Sequence, residues 1–160
     1  MPNTDSAIKD EEVIDYWFYH LEASTVQSVL PDLLEKILGR GWRALIKCKE
    51  DDLAELDQFL WTYKDNSFLP HGRDDEPLAD QHPILLSATT NAANGADCVI
   101  LLDGLDVDDL TWAARCIVMI NGRNSDDVAR ERKRWSRLKE AGHSLSYFQQ
   151  DDRGSWKKKA

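Results

Sequence analysis

Between residues 130 and 139 the chain reads Arg-Glu-Arg-Lys-Arg-Trp-Ser-Arg-Leu-Lys, six cations around a single indole. The run belongs to a protein that is otherwise acidic, with 29 Asp and Glu against 20 Lys and Arg and a net charge of -9. A face that only kept the protein in solution would mix signs evenly or share the sign of the body. Guanidinium groups concentrated beside an aromatic ring instead suit an anionic partner with an apolar anchor. Arg fits this task because its planar fork can hold a carboxylate through two parallel hydrogen bonds. On a helix Arg132 lies one turn before Trp135, so the two flank a common surface. Val128, Trp135, Leu138 and Gly142 lean towards a side suited to covering a sheet, and Arg130, Lys133, Arg134 and Arg137 fill a second sector. An acidic peptide ending in a hydrophobic residue matches that combination. A solvated amphipathic helix and sequence-independent nucleic-acid contact are the competing readings of the same charges.

A second concentration of large side chains is Leu60-Trp61 followed by Ser67-Phe-Leu-Pro-His71. Two readings stand for it: Trp61 closes a helix onto the core with the loop folded over it, or Phe68 is exposed and anchors a partner, as aromatic residues do at interfaces. Asp103, Asp106, Asp108 and Asp109 follow an apolar run, a position from which acids hold metal in some nucleases and phosphatases; a solvated loop leading into a helix is the plainer alternative. No phosphate-binding glycine pattern is present. The loop Leu21-Glu-Ala-Ser24 lacks glycine and carries an acid where phosphate would need backbone N–H groups. Cys48, Cys98 and Cys116 each sit in an apolar run without metal-ligand spacing, which predicts buried free thiols and no metal. No Ser or Cys nucleophile has an adjacent base, so no catalytic residue and no cofactor are assigned.

The elements that must position these groups follow from periodicity. Trp17–Leu21 reads as a first strand beginning as early as Val13, and Ser24-Thr-Val-Gln27 as a capping box opening a helix that Gly39 closes. Trp42–Cys48 is a second strand, and Asp51 and Asp52 open a helix that Trp61 ends. Residues 72–83, with two prolines, predict an exposed irregular stretch. Ile84–Ala88, Cys98–Leu102 and Arg115–Ile120 are buried strands, and Leu105–Trp112 admits a short helix. Ser125 opens the basic helix, Gly142 caps it, and Ser144–Gln150 alternates as a last strand, with antiparallel pairing admitted late in the chain. Strands alternating with helices predict a Rossmann-like three-layer α/β domain with a mostly parallel central sheet. The expected boundaries are a disordered extension at 1–12, one domain at 13–152 and a basic tail at 153–160. The polar first segment is no signal peptide, and no apolar run reaches the roughly 20 residues of a membrane span, so a cytoplasmic protein is expected.

Trp17-Phe-Tyr-His-Leu21, Trp42-Arg-Ala-Leu-Ile46, Leu60-Trp61, Ser67-Phe-Leu-Pro-His71 and Arg132-x-x-Trp135 before Ala141-Gly142-His143 occur in this order. In this order and spacing the chain resembles the chi subunit family of bacterial DNA polymerase III from about Tyr16 to Gln150. The resemblance implies the same α/β fold and no catalytic site of its own, within a polymerase (nucleotidyltransferase) complex. It implies two protein partners: the acidic C-terminal tail of single-stranded-DNA-binding protein, which ends in Pro-Phe, and the psi subunit of the clamp loader, in a 1:1 heterodimer. DNA would be contacted only indirectly. Carried over by position, Arg132 grips the tail's carboxylates, Trp135 walls the pocket for its terminal Phe, and Arg130 and Arg134 add steering. Val128 stands where some members have a lysine, with Arg130 as its substitute. The psi contact maps onto Trp61, Phe68, Pro70 and His71. A direct nucleic-acid binder or metal-dependent processing enzyme, using the basic helix and residues 103–109, is the alternative.

Overall fold

Along the first strand, β1 (Asp15–Leu21), side chains alternate between two cores. Trp17, Tyr19 and Leu21 pack with α1 (Val26–Gly39) and α2 (Leu53–Thr62), while Tyr16 and Phe18 pack beneath α3 (Ser125–Glu140). A strand with apolar residues on both sides must be covered on both sides, and that requirement produces three layers. The computed structural model describes residues 13–63, 69–89, 94–106, 110 and 112–160. The remaining strands are β2 (Ala44–Lys47), β3 (His71–Arg73), β4 (Ile84–Ser87), β5 (Cys98–Leu101), β6 (Arg115–Asn121), β7 (Ser144–Gln150) and β8 (Trp156–Lys158). They form one sheet in the order β3-β4-β2-β5-β6-β1-β7-β8. Every neighbouring pair is parallel except β7 with β8. This is the expected Rossmann-like α/β domain. From β1 the chain crosses to β2 over one face through α1, and from β6 it crosses to β7 over the other face through α3. β1 therefore has β6 on one side and β7 on the other, although β7 is more than a hundred residues away in sequence.

Several boundaries differ from expectation for identifiable reasons. The first helix is capped by Thr25, whose hydroxyl accepts from Ser28 N–H at 3.1 Å. Ser24 is instead held by the Gln150 side chain at 2.9 Å, so the cap lies one residue later than expected and the reciprocal bond of a capping box is not made. Gly39 is the last helical residue, and Gly41 takes the left-handed conformation (φ 77°). Gly41 N–H bonds to Leu38 O at 2.9 Å and Trp42 N–H to Ile37 O at 3.2 Å, the paired closure that places glycine just beyond a helix end. Asn124 caps α3 by accepting from the N–H groups of Asp126 and Asp127 at 3.0 and 3.1 Å. The α3 end repeats the paired closure at Gly142 (φ 93°).

Residues 72–83 are not uniformly irregular and exposed. His71 and Gly72 are buried in edge strand β3, and Ala79–Gln81 forms a 3-10 turn. The last segment is not a free tail: β8 pairs antiparallel with β7 after a turn held by Asp151, whose carboxylate accepts from Arg153 and Ser155 N–H, each at 2.9 Å. Of the helix expected at Leu105–Trp112, residues 107–109 and 111 lie outside the described residues, as do 1–12; the rest of that stretch is not helical. No helix among the described residues is long and apolar enough to cross a membrane.

Candidate functional site

The parallel crossover that sets β7 beside β1 also builds a cleft of about 500 Å³ under α3. Its floor is His20, Tyr147 and Gln149 from the two strands, and one wall is Arg132, Trp135 and Ser136 from the helix. Lys159, just past β8, closes the opposite side. Trp135 meets Phe18 edge-on (5.3 Å, 71°) and Tyr147 edge-on (5.6 Å, 78°), the favourable geometry for aromatic quadrupoles. The indole is thus half-buried in a fixed orientation. Tyr147 Oη lies 2.5 Å from His20 Nδ1. His20 Nε2 stands 2.9 Å from Glu22 Oε1, near enough to pair electrostatically but not aligned for a hydrogen bond. Burial raises the pKa of the Tyr147 phenol, against the opposing pull of Arg132. Its hydroxyl remains a neutral group that can both donate and accept.

The cations of α3 sort into different jobs. Arg132 is exposed and makes no ion pair among the described residues, so its guanidinium is available to a carboxylate at the cleft. Arg134 is not a surface steering group. It is 5% exposed, pairs with Glu131 at 2.8 Å, and donates to the carbonyls of Gly104 and Leu105 at 3.1 and 3.0 Å. It fastens α3 to the loop after β5. The buried stripe of the helix is therefore Glu131, Arg134 and Leu138, with Val128 and Trp135 partly buried beside it. Arg130 pairs with Asp127 at 2.9 Å and Glu131 at 3.2 Å. Its guanidinium also covers Gly104, which holds a left-handed φ of 74°. Arg130, Arg134 and Val128 do not line the cleft, so of the five residues expected there the structure brings together Arg132 and Trp135. Arg137 pairs with Asp106 at 3.3 Å. With three of its arginines neutralised by acids, α3 is poorly suited to track a phosphate backbone.

Nothing in the local sequence marks Tyr147 and Gln149, which sit on β7, as cleft residues, and His20 carries only the signature of a strand residue. Alternation along β1 and β7 puts all three on the α3 face, but only the sheet order shows that the strands are neighbours.

At the other end of the sheet, Trp61 is 45% exposed, and its ring lies 4.2 Å from the ring of His71. His71 does not face outward as expected for an interface residue. It is 1% exposed, with Nδ1 2.6 Å from Leu69 O and Nε2 3.1 Å from Asp57 Oδ1. It supports Trp61 from below. Pro70 is partly exposed between them, and Phe68 lies outside the described residues.

At the C-terminal ends of the strands, where doubly wound folds bind nucleotides, the backbone donors of the turn after β1 are already taken. Gln150 Oε1 accepts from three successive backbone N–H groups, Glu22, Ala23 and Ser24, at 3.1, 2.9 and 3.0 Å. Those are the donors a phosphate would need. Asp103 and Asp106 are exposed at this end, whereas Asp108 and Asp109 lie outside the described residues. No cluster of metal-ligating side chains occurs among the described residues. Cys48, Cys98 and Cys116 are buried free thiols; burial raises all three pKa values, pushing those of Cys48 and Cys98 up to about 12, far from the thiolate range.

The layered parallel sheet defines a Rossmann-like domain, and α3, β1 and β7 give it a surface cleft walled by Arg132 and Trp135. The sequence pattern of the DNA polymerase III chi subunit (HolC) family matches residues 14–146, and the chain belongs to that family, an accessory subunit of the polymerase. The chain is 24% identical over 90 residues to a probable DNA polymerase III subunit chi of Rickettsia prowazekii (strain Madrid E). That match covers 56% of this chain and 54% of the relative, so the chain spans about half the length of the curated relative it matches.

Proposed function

We propose that this chain serves DNA replication as an adaptor in the polymerase III assembly, linking the clamp loader to the acidic C-terminal tail of single-stranded-DNA-binding protein. The observation that carries the reading is Arg132. It is an exposed guanidinium with no ion pair among the described residues, set beside the fixed Trp135 ring in a cleft on a protein of net charge -9. Hydrophobic docking of a terminal aromatic against Trp135 and Tyr147 supplies the anchor, and Arg132 takes the terminal carboxylate. One tail docks per chain with a micromolar Kd, about -8 kcal/mol. Several tails on one coated strand raise the effective concentration. DNA is contacted only through that partner.

The opposite end of the sheet serves the second link. Trp61, Pro70 and Phe68 meet a psi-like clamp-loader subunit in a 1:1 heterodimer, with His71 holding Trp61 in place from beneath. The cleft lies beside β7, and Trp61 lies against His71 of β3 at the other edge of the sheet, a separation that suits an adaptor engaging both partners at once.

Titration of the intact chain with an acidic peptide ending in a hydrophobic residue tests the tail site. Arg132→Ala and Trp135→Ala should each abolish measurable binding while leaving the thermal transition within a few degrees of the parent. Binding that survives both substitutions contradicts the assignment. Phe68→Ala should release the chain from the clamp loader while peptide binding persists; simultaneous loss of both would mean a damaged fold.

A further inference from the structure

The last ten residues lie beyond the stretch matched to the family, which ends at 146, yet they are built into the sheet. The turn is fixed by Asp151, the Lys159 N–H bonds to Tyr147 O at 2.7 Å, and Trp156 meets Tyr19 edge-on at 5.1 Å on the far face. With Trp156 turned to the α1 face, strand alternation gives Lys157 and Lys159 to the face that carries Tyr147 and Gln149. Lys159 lines the cleft together with Arg132. Cations thus reach the cleft from two separate segments, Arg132 from α3 and Lys159 from just past β8, on a molecule whose overall charge would repel an acidic ligand.

Resting on the tail-binding reading above, we propose that the β7–β8 hairpin is a second basic bank of the cleft. Lys157 and Lys159 attract the acidic residues upstream of the peptide's hydrophobic end, leaving the terminal carboxylate to Arg132. Cations on this hairpin suit the role because the β8 ladder and the Lys159 N–H bond to Tyr147 O hold their backbone in place, whereas cations on a loose tail would have to be ordered on binding. The bank makes the site selective for the charge of the upstream residues, not only for the terminal aromatic.

The test uses the full chain and two synthetic peptides that share the end Ile-Pro-Phe, one with Asp upstream and the other with Asn. In the intact chain the acidic peptide should bind more tightly, with an advantage that shrinks as salt is added. The double substitution Lys157→Glu with Lys159→Glu should weaken the acidic peptide by about tenfold at low salt and leave the Asn peptide unchanged. Should charge reversal disturb the hairpin, Lys157→Gln with Lys159→Gln should show the same selectivity at smaller amplitude. An acidic peptide bound equally well by parent and reversed chain overturns the second bank while leaving the tail site standing, as does equal affinity of the parent for both peptides. Binding of neither peptide by the parent overturns both readings together.

Discussion

Arg132 and Arg134 stand two residues apart in one basic run and differ in what their loss should do. Arg134 neutralises Glu131, which is 2% exposed, and satisfies two loop carbonyls. Removing it leaves a buried carboxylate with only the half-exposed Arg130 beside it. Arg134→Ala should therefore cost about 3–5 kcal/mol of stability, read in a denaturant or thermal melt, whereas Arg132→Ala should leave the melt nearly unchanged. Loss of peptide binding in an Arg134 variant would thus report unfolding, not a lost contact.

His143 carries a pH dependence. Its Nδ1 accepts the Ile14 N–H at 3.1 Å, which requires an unprotonated nitrogen, and burial lowers its pKa below the ordinary 6.5. Between the lowered folded value and 6.5 the unfolded chain binds a proton that the folded chain does not. Its contribution is complete above 6.5 and is lost as pH falls from 6.5 through the folded value. Melting temperature should decline over that interval, and His143→Gln should make the decline shallower. An unchanged slope would mean that the ring does not titrate differently on folding.

Among the elements, β7 ties β1, β8 and α3 together. Its end residue Gln150 fills the turn between β1 and α1, and Gln150→Ala would strip three backbone N–H groups of their acceptor at once. A loss of about 1–3 kcal/mol is expected from a denaturant melt, since three hydrogen bonds go at once while water can reach part of the turn. Gly122, just past β6, has the opposite constraint. A Cβ there would collide with the carbonyl of Leu21 and with the His20 ring. Gly122→Ala should destabilise by about 2–3 kcal/mol and also weaken peptide binding, because the His20 ring carries the Tyr147 hydroxyl at the cleft floor. Full stability and full binding in that variant would show that the end of β1 yields more readily than its backbone contacts indicate.

For the molecule as a whole, the sequence made the layered fold legible because its strands are continuous apolar runs and its helices carry distinct stripes and closing glycines. It hid what depends on neighbours distant in the chain. β3 escaped notice because three residues within a proline- and acid-rich stretch have no period of their own, and β8 because its lysines resemble a solvated tail. The basic run marked α3 as a candidate surface, but not which arginine faces inward, since Arg134 pairs with Glu131 on the buried side of the helix. That Arg132 and Trp135 share a surface was legible from spacing alone. Their partners on β1 and β7 needed the sheet order to be seen.

The central claim is that this acidic chain carries one cleft for an acidic, aromatic-ended peptide. The most direct measurement is calorimetric titration of the intact chain with a peptide ending in Asp-Ile-Pro-Phe, and with the same peptide lacking its last residue. Saturable binding near micromolar Kd for the full peptide, lost with the final Phe, is the predicted result. Binding of neither peptide, or of both equally, would contradict the claim.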